Sequence, residues 1–180
     1  MTRVHEHKLF FALWPDEATR ARIAGAVDAF VRTAAPRGRR VKTERLHMTL
    51  PFLGEFAELP PALVAAACAA AAQARAGSFD CVLDRFGSFA RAHVGWLGCA
   101  EPAPALQVLF ERLVEALRAH DCHVARSAQF VPHVTVLRDI EHPIEAAPAT
   151  PVRWPVDEFV LIASRPSGDY DLLARWPLRV

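Results

Sequence analysis

The chain has 180 residues, 52% of them hydrophobic and 23% charged, which is enough for a sizeable core and excludes an intrinsically disordered chain. Its 21 Lys and Arg against 20 Asp and Glu leave a net charge of +1, which excludes the field of a bulk nucleic-acid binder, so any polyanion must be met locally. The basic set is 19 Arg and 2 Lys, as bidentate phosphate contacts would favour and as an Ala/Arg-rich composition equally explains.

In chain order, Lys8 to Trp14 predicts a buried strand, and Pro15-Asp16-Glu17 opens a helix to about Thr33, with proline and acidic residues in its first turn. Pro36 to Arg40 is a basic turn. Leu46 to Leu53 predicts a strand ended by Gly54, with Pro51 arguing for an edge or strand-end position. Residues 60–75 predict an Ala-rich helix closed by Gly77, and Phe79 to Phe86 with His93 to Cys99 predict a hairpin. Leu106, Leu109, Phe110, Leu113 and Leu117 are helically spaced within Pro104 to His120. Phe130 to Leu137 predicts a further strand, and Glu141 to Pro155 a proline-rich loop. Val156 to Ala163 and Tyr170 to Trp176 predict the last two strands, joined through Ser167-Gly168-Asp169. Hairpins are as frequent as crossovers, so the expected fold is α+β with antiparallel or mixed sheets.

Cys68, Cys81, Cys99 and Cys122 are widely spaced without a C-x-x-C pair, which predicts reduced thiols. No stretch reads as a secretory signal or a membrane span, so a soluble, cytoplasmic, monomeric protein without membrane partners is expected.

The pattern that carries chemistry is a repeat. His47-Met48-Thr49-Leu50 and His133-Val134-Thr135-Val136 share the form His-x-Thr-aliphatic, lie in apolar strands, and are 86 residues apart, close to half the chain. Strand alternation puts His47 and Thr49 on one face with Met48, Leu50 and Phe52 on the other, and likewise separates His133 and Thr135 from Val134 and Val136. One such motif reads most simply as a strand histidine satisfied by neighbouring backbone. Two at this spacing predict one domain over 1–180 made of two similar lobes, each lending a His-x-Thr strand (47–50 and 133–136) to a central cleft with helices outside. Two imidazoles and two hydroxyls in one cleft suit in-line attack at phosphorus. One neutral His takes a proton from water, a protonated His gives one to the departing oxygen, and the Thr hydroxyls hold the non-bridging oxygens. The scheme requires no metal and no cofactor.

These motifs and their flanks resemble the 2H phosphoesterase superfamily, and within it the RNA 2′,3′-cyclic phosphodiesterases, also called 2′-5′ RNA ligases. The likeness runs through Lys8-Leu9-Phe10-Phe11-Ala12-Leu13, Glu44 to Leu50 with Phe52-Leu53-Gly54, Phe86-Gly87-Ser88-Phe89, Val94-Gly95-Trp96-Leu97-Gly98 and Phe130 to Arg138. Val136 stands where the family more often has Leu. The resemblance implies a bilobal, pseudo-twofold fold whose cleft opens 2′,3′-cyclic phosphate ends of RNA or nucleotides to 2′-phosphomonoesters, with reversible 2′-5′ ligation. By the same resemblance His47 is the proton donor, His133 the proton acceptor, and Thr49, Thr135 and Arg138 bind phosphate. The alternatives are a phosphodiesterase for a small cyclic nucleotide or other cyclic ester, a non-catalytic receptor for RNA or nucleotide ends, and a metallohydrolase.

Other features are set beside the motif. The run Arg37, Arg39, Arg40, Lys42, Arg45 could guide an RNA backbone or be only solvated. Phe10 or Trp96 could stack on a base, although core packing is the simpler reading. His120-Asp121-Cys122-His123 and His5-Glu6-His7 lack the further ligands of a zinc site and read as a helix end and a mobile N-terminus; His93 and His142 have no partner in sequence.

Overall fold

The computed structural model describes residues 7–124 and 129–179. His5 and Glu6 of the N-terminal His-Glu-His reading lie outside the described residues. The elements are β1 (His7–Leu13), α1 (Glu17–Ala34), β2 (Arg39–Arg40), β3 (Met48–Phe56), α2 (Pro61–Gln73), β4 (Phe79–Phe89), β5 (Val94–Gly98), α3 (Pro104–Ala119), β6 (His133–Arg138), β7 (Ala147–Val156), β8 (Glu158–Ser164) and β9 (Tyr170–Pro177). Short 3₁₀ turns at Thr43–Arg45 and Ala90–Ala92 precede β3 and β5.

Local chemistry explains the helix ends. The Thr19 amide donates to Asp16 Oδ1 at 2.6 Å, capping α1, and Ala35 closes that helix in the left-handed region at φ 43°. α2 and α3 begin on prolines whose missing N–H is not needed there. α2 ends at Gln73, with Ala74 as its cap, before the expected Gly77. No helix among the described residues is long and apolar enough to cross a membrane.

Every strand pairing among the described residues is antiparallel. The order is β7-β4-β5-β6-β3-β1-β8-β9, with β2 added to β6. Outward from the β6/β3 junction, β5, β4 and β7 lie on one side, matched by β1, β8 and β9 on the other. At the junction Met48 pairs with Val134, the same position of the repeated motif. An antiparallel pair between equivalent positions is a local twofold, so the α+β class and the doubled arrangement agree with expectation. α1 follows β1 as α3 follows β5. All three helices bury residues against one face of the sheet: Ile23 and Val27 from α1, Ala67 and Ala70 from α2, and Leu106, Leu109, Leu113 and Leu117 from α3 join Leu9, Phe11, Met48, Leu50, Leu97 and Val134. The other face is left open for a site. Its apolar part is a small second cluster of Phe10, Ala12, Val160 and Ile162.

Several expectations need correction. The proline-rich segment Glu141 to Pro155 is not all loop, because 147–156 forms β7. Its buried residues alternate as Val152, Trp154 and Val156, and it pairs with β4 from Phe79–Val156 to Phe86–Ala147. An edge strand bonds on one side only, so it tolerates Pro148, Pro151 and Pro155. β3 is central rather than an edge, and it continues past Gly54, which adopts φ 142° within the strand. It meets β6 only at Met48, so Pro51 is not asked for a ladder bond on that side. The register against β1 also slips twice, since Leu9 faces Gly54, Phe10 faces Phe52 and Ala12 faces Thr49. These irregularities bring Phe52 to the open face beside Phe10, opposite to strict alternation, while Met48, Leu50 and Leu53 stay in the core. β6 begins at His133 rather than Phe130, whose ring stacks on Phe110 at 4.1 Å.

Candidate active site

His47 immediately precedes β3 and His133 opens β6. In each, ring Nδ1 lies 2.7 Å from the carbonyl oxygen two residues earlier, of Arg45 and Val131 respectively. A carbonyl only accepts, so Nδ1 carries the hydrogen in both rings and Nε2 is left for proton transfer. The pairing of Met48 with Val134 sets His47 beside Thr135 and Thr49 beside His133 across the junction. All four side chains are half-buried. The backbone around each motif is therefore the same, and the two sites are related by the local twofold.

Their surroundings are not the same. The His47 ring stacks near Phe10 at 5.2 Å and Trp14 at 6.0 Å, with the Tyr170 ring edge-on at 5.4 Å. His133 meets the edge of Phe89 at 4.8 Å. Burial pushes His47 down to about 4, opposed by the Arg45 carbonyl and helped by the positive charges of Arg138 and Arg20 and by His133 when it is protonated. Burial also lowers His133, against the Val131 carbonyl. Both rings are thus held neutral at pH 7 in the free protein.

His47, Thr135 and Arg138 line one cleft of about 670 Å³ with Tyr170. Lys8 and Arg165 enter it from one side, and Arg39, Arg40, Lys42 and Arg45 from the other; Glu55 is the one carboxylate among its lining residues. A chain of net charge +1 therefore concentrates seven cations around His47. Exposed carboxylates pair with some of them: Glu55 with Lys8, Asp139 with Arg39, Asp28 with Arg40 and Asp171 with Arg165. Such pairs hold little energy and can exchange for phosphate. Lys42 and Arg138 have no ion pair among the described residues. Of the basic run, Arg37 lies outside the cleft lining and pairs with Glu141.

Phe10 is core-like, 5% exposed, and supports His47 instead of presenting a free face. Trp96 pairs with Thr135, and its indole lies across Gly87 and Gly98. Sequence reasoning missed Trp14, Tyr170 and Phe89 as neighbours of the two histidines. Trp14 ends the first apolar run and Tyr170 follows the Ser-Gly-Asp turn, but only strand order brings either to His47. His120 serves the end of α3, with Nδ1 2.9 Å from the Ala116 carbonyl and Nε2 beside the Gln73 amide. His93 Nδ1 donates to the Ile140 carbonyl at 3.2 Å. Among the described residues no three His, Cys, Asp or Glu side chains gather as a metal would require. The four cysteines are free, with Cys81 and Cys99 sulfurs 3.4 Å apart.

The chain as a whole is similar to several known proteins. The family model described as the 2′-5′ RNA ligase superfamily matches residues 13–167. The RNA 2′,3′-cyclic phosphodiesterase of Escherichia coli (strain K12) is 35% identical over 147 residues, 78% of this chain and 80% of that one. E. coli LigT complexed with 3′-AMP superimposes with a TM-score of 0.81 at 30% identity, over 96% of this chain and 98% of that one. The protein TT0787 of Thermus thermophilus superimposes with a TM-score of 0.73 at 26% identity, again over 96% and 98%.

Proposed function

The chain belongs to the 2′-5′ RNA ligase superfamily of 2H phosphoesterases, and from that membership and the cleft we propose that it hydrolyses 2′,3′-cyclic phosphate ends of RNA to 2′-phosphomonoesters. The observation that carries this reading is the pair of histidines on adjoining strands, each with Nδ1 tied to the carbonyl two residues earlier and Nε2 left for chemistry. The two halves of the sheet act as two lobes of one catalytic unit, each lending one His-x-Thr strand.

His133, neutral in the free protein, takes the proton of the attacking water. The water oxygen bonds to phosphorus opposite the 3′ oxygen, the P–O3′ bond breaks, and His47 protonates the departing 3′ oxygen. Thr49, Thr135 and Arg138 hold the non-bridging oxygens, on which charge accumulates. His47 must gain its proton before the step, and its resting pKa of about 4 opposes that. The bound phosphodiester anion supplies the compensating charge, so proton and substrate enter together. Replacing water by a 5′ hydroxyl in the same attack joins two ends through a 2′-5′ linkage, and the reverse step cleaves it. RNA suits the cleft better than a mononucleotide does, because the cations extend well beyond what one phosphate needs.

His47→Ala and His133→Ala, assayed on an oligonucleotide with a 2′,3′-cyclic phosphate, should each lose about a hundredfold or more in kcat while keeping the wild-type melting temperature. Full activity in either variant overturns the assignment.

A further inference from the structure

His47 is held by a stack of side chains that begins on α1. The Arg20 guanidinium carbon lies 4.3 Å from the centre of the Trp14 ring. The Trp14 ring lies 6.0 Å from His47 at 24°, and Phe10 lies 5.2 Å from His47 at 27°. Trp14 follows β1 and Arg20 sits one turn into α1, so the β1–α1 corner places both. Arg20 Nε and Nη2 are buried with no hydrogen-bond partner among the described residues. A surface arginine avoids that desolvation by turning outward, and burying two unpaired donors is costly. Stacking on the indole returns only part of it. The carboxylates acting on Arg20 are Asp16 of the cap and Glu44 of the 3₁₀ turn before β3. The charged and titratable groups acting on His47 are Arg138 and the titratable His133 from β6 and Arg20 from α1, while Tyr170 from β9 meets its ring and the Arg45 carbonyl holds Nδ1.

We propose that Arg20 is a positioning residue of this reaction: capping the Trp14 indole, it fixes the aromatic face against which the His47 imidazole lies and adds a buried positive charge to that stack. The inference rests on His47 belonging to the proton-transfer pair. Its chemical sense is that a cation acting through the stack opposes the imidazolium, so the proton brought in with the substrate's anion passes more readily to the departing oxygen. Removing the charge and loosening Trp14 act in the same direction, since both favour a charged, better-solvated His47.

The test compares Arg20→Met, which keeps the apolar stem, with Arg20→Lys, which keeps the charge. The His47 ring is titrated by proton–carbon NMR in the free protein, its signal assigned by its loss in His47→Gln, and the pH dependence of kcat/KM is recorded on a 2′,3′-cyclic-phosphate oligonucleotide. Arg20→Met should raise the His47 midpoint by about half a pH unit or more and move the limb of the pH profile set by His47 with it, while Arg20→Lys stays close to wild type. An unchanged midpoint in a folded Arg20→Met protein overturns the proposal, and Arg20→Gln gives the same reading should Arg20→Met fail to fold. The NMR midpoint needs no turnover, so an inactive wild-type chain would overturn the proposed function while the titration still decides the role of Arg20.

Discussion

Gly87→Ala is expected to damage both stability and catalysis through one side chain. A Cβ on Gly87 would come within 2.4 Å of Trp96 Cζ2 and 2.5 Å of Cη2, far inside contact distance, so the indole must move. It has little room to do so. The same ring crosses Gly98, where a Cβ would meet Cε3 and Cζ3 at 3.1 Å, and it lies 5.7 Å from the Phe89 ring. Overpacking of a confined ring costs about 1–3 kcal/mol, or roughly 2–10 °C of melting temperature in a domain of this size. Phe89 in turn meets the edge of His133 at 4.8 Å, and Trp96 pairs with Thr135, so kcat should fall along with stability. A double-mutant cycle isolates the cause. Trp96→Leu removes the atoms that clash, so in that background Gly87→Ala should cost less than about 0.5 kcal/mol by urea unfolding. Equal costs in the two backgrounds would refute the steric account.

The remaining expectations concern charge, protons and metal. Lys42, an exposed cation of the cleft without an ion pair among the described residues, should contact an upstream phosphate. Lys42→Ala should raise KM several-fold for a cyclic-phosphate oligonucleotide and flatten its salt dependence, while leaving kinetics on a cyclic mononucleotide unchanged. Stability should depend on pH through His47, whose free value is 6.5 and whose folded value is about 4. As pH falls the unfolded chain binds the proton first, so stability is full above about 6.5, declines from there to about 4, and flattens below. His47→Gln should reduce that slope in urea titrations at several pH values. Thr135→Val should cost about tenfold or more in kcat by removing a hydroxyl from the phosphate oxygens, with the fold intact by circular dichroism. Turnover in EDTA should equal turnover without it; a loss restored by a divalent cation would show that the two imidazoles do not suffice.

Much of the candidate site was legible in the sequence because the repeat is local. Each His-x-Thr motif carries its own alternation, and the equal spacing of the two copies implies a twofold that the Met48–Val134 pair realises. Elements failed to read where long-range partners decide the outcome. β7 is hidden by three prolines, which are tolerable only at a sheet edge, and edge position is a property of the whole strand order. Phe52 changes face because β3 slips against β1, which alternation within β3 cannot reveal. The asymmetry of the two histidines lies outside the repeat altogether. Trp14, Tyr170 and Arg20 come from the β1–α1 corner and from β9, remote in sequence from His47, and their rings and charge make its environment unlike that of His133. Lys8 and Arg165 likewise become part of the cleft only because β1 and β8 are neighbours.

The central claim is that two imidazoles open a cyclic phosphate by attack of water opposite the 3′ oxygen. Product analysis of an RNA bearing a 2′,3′-cyclic phosphate, incubated in ¹⁸O-water with EDTA present, tests it most directly. The mechanism predicts a single product, the 2′-phosphomonoester with one labelled oxygen on phosphorus, absent with His47→Ala or His133→Ala. A 3′-phosphomonoester, or an RNA end bound but unchanged after long incubation, would contradict it.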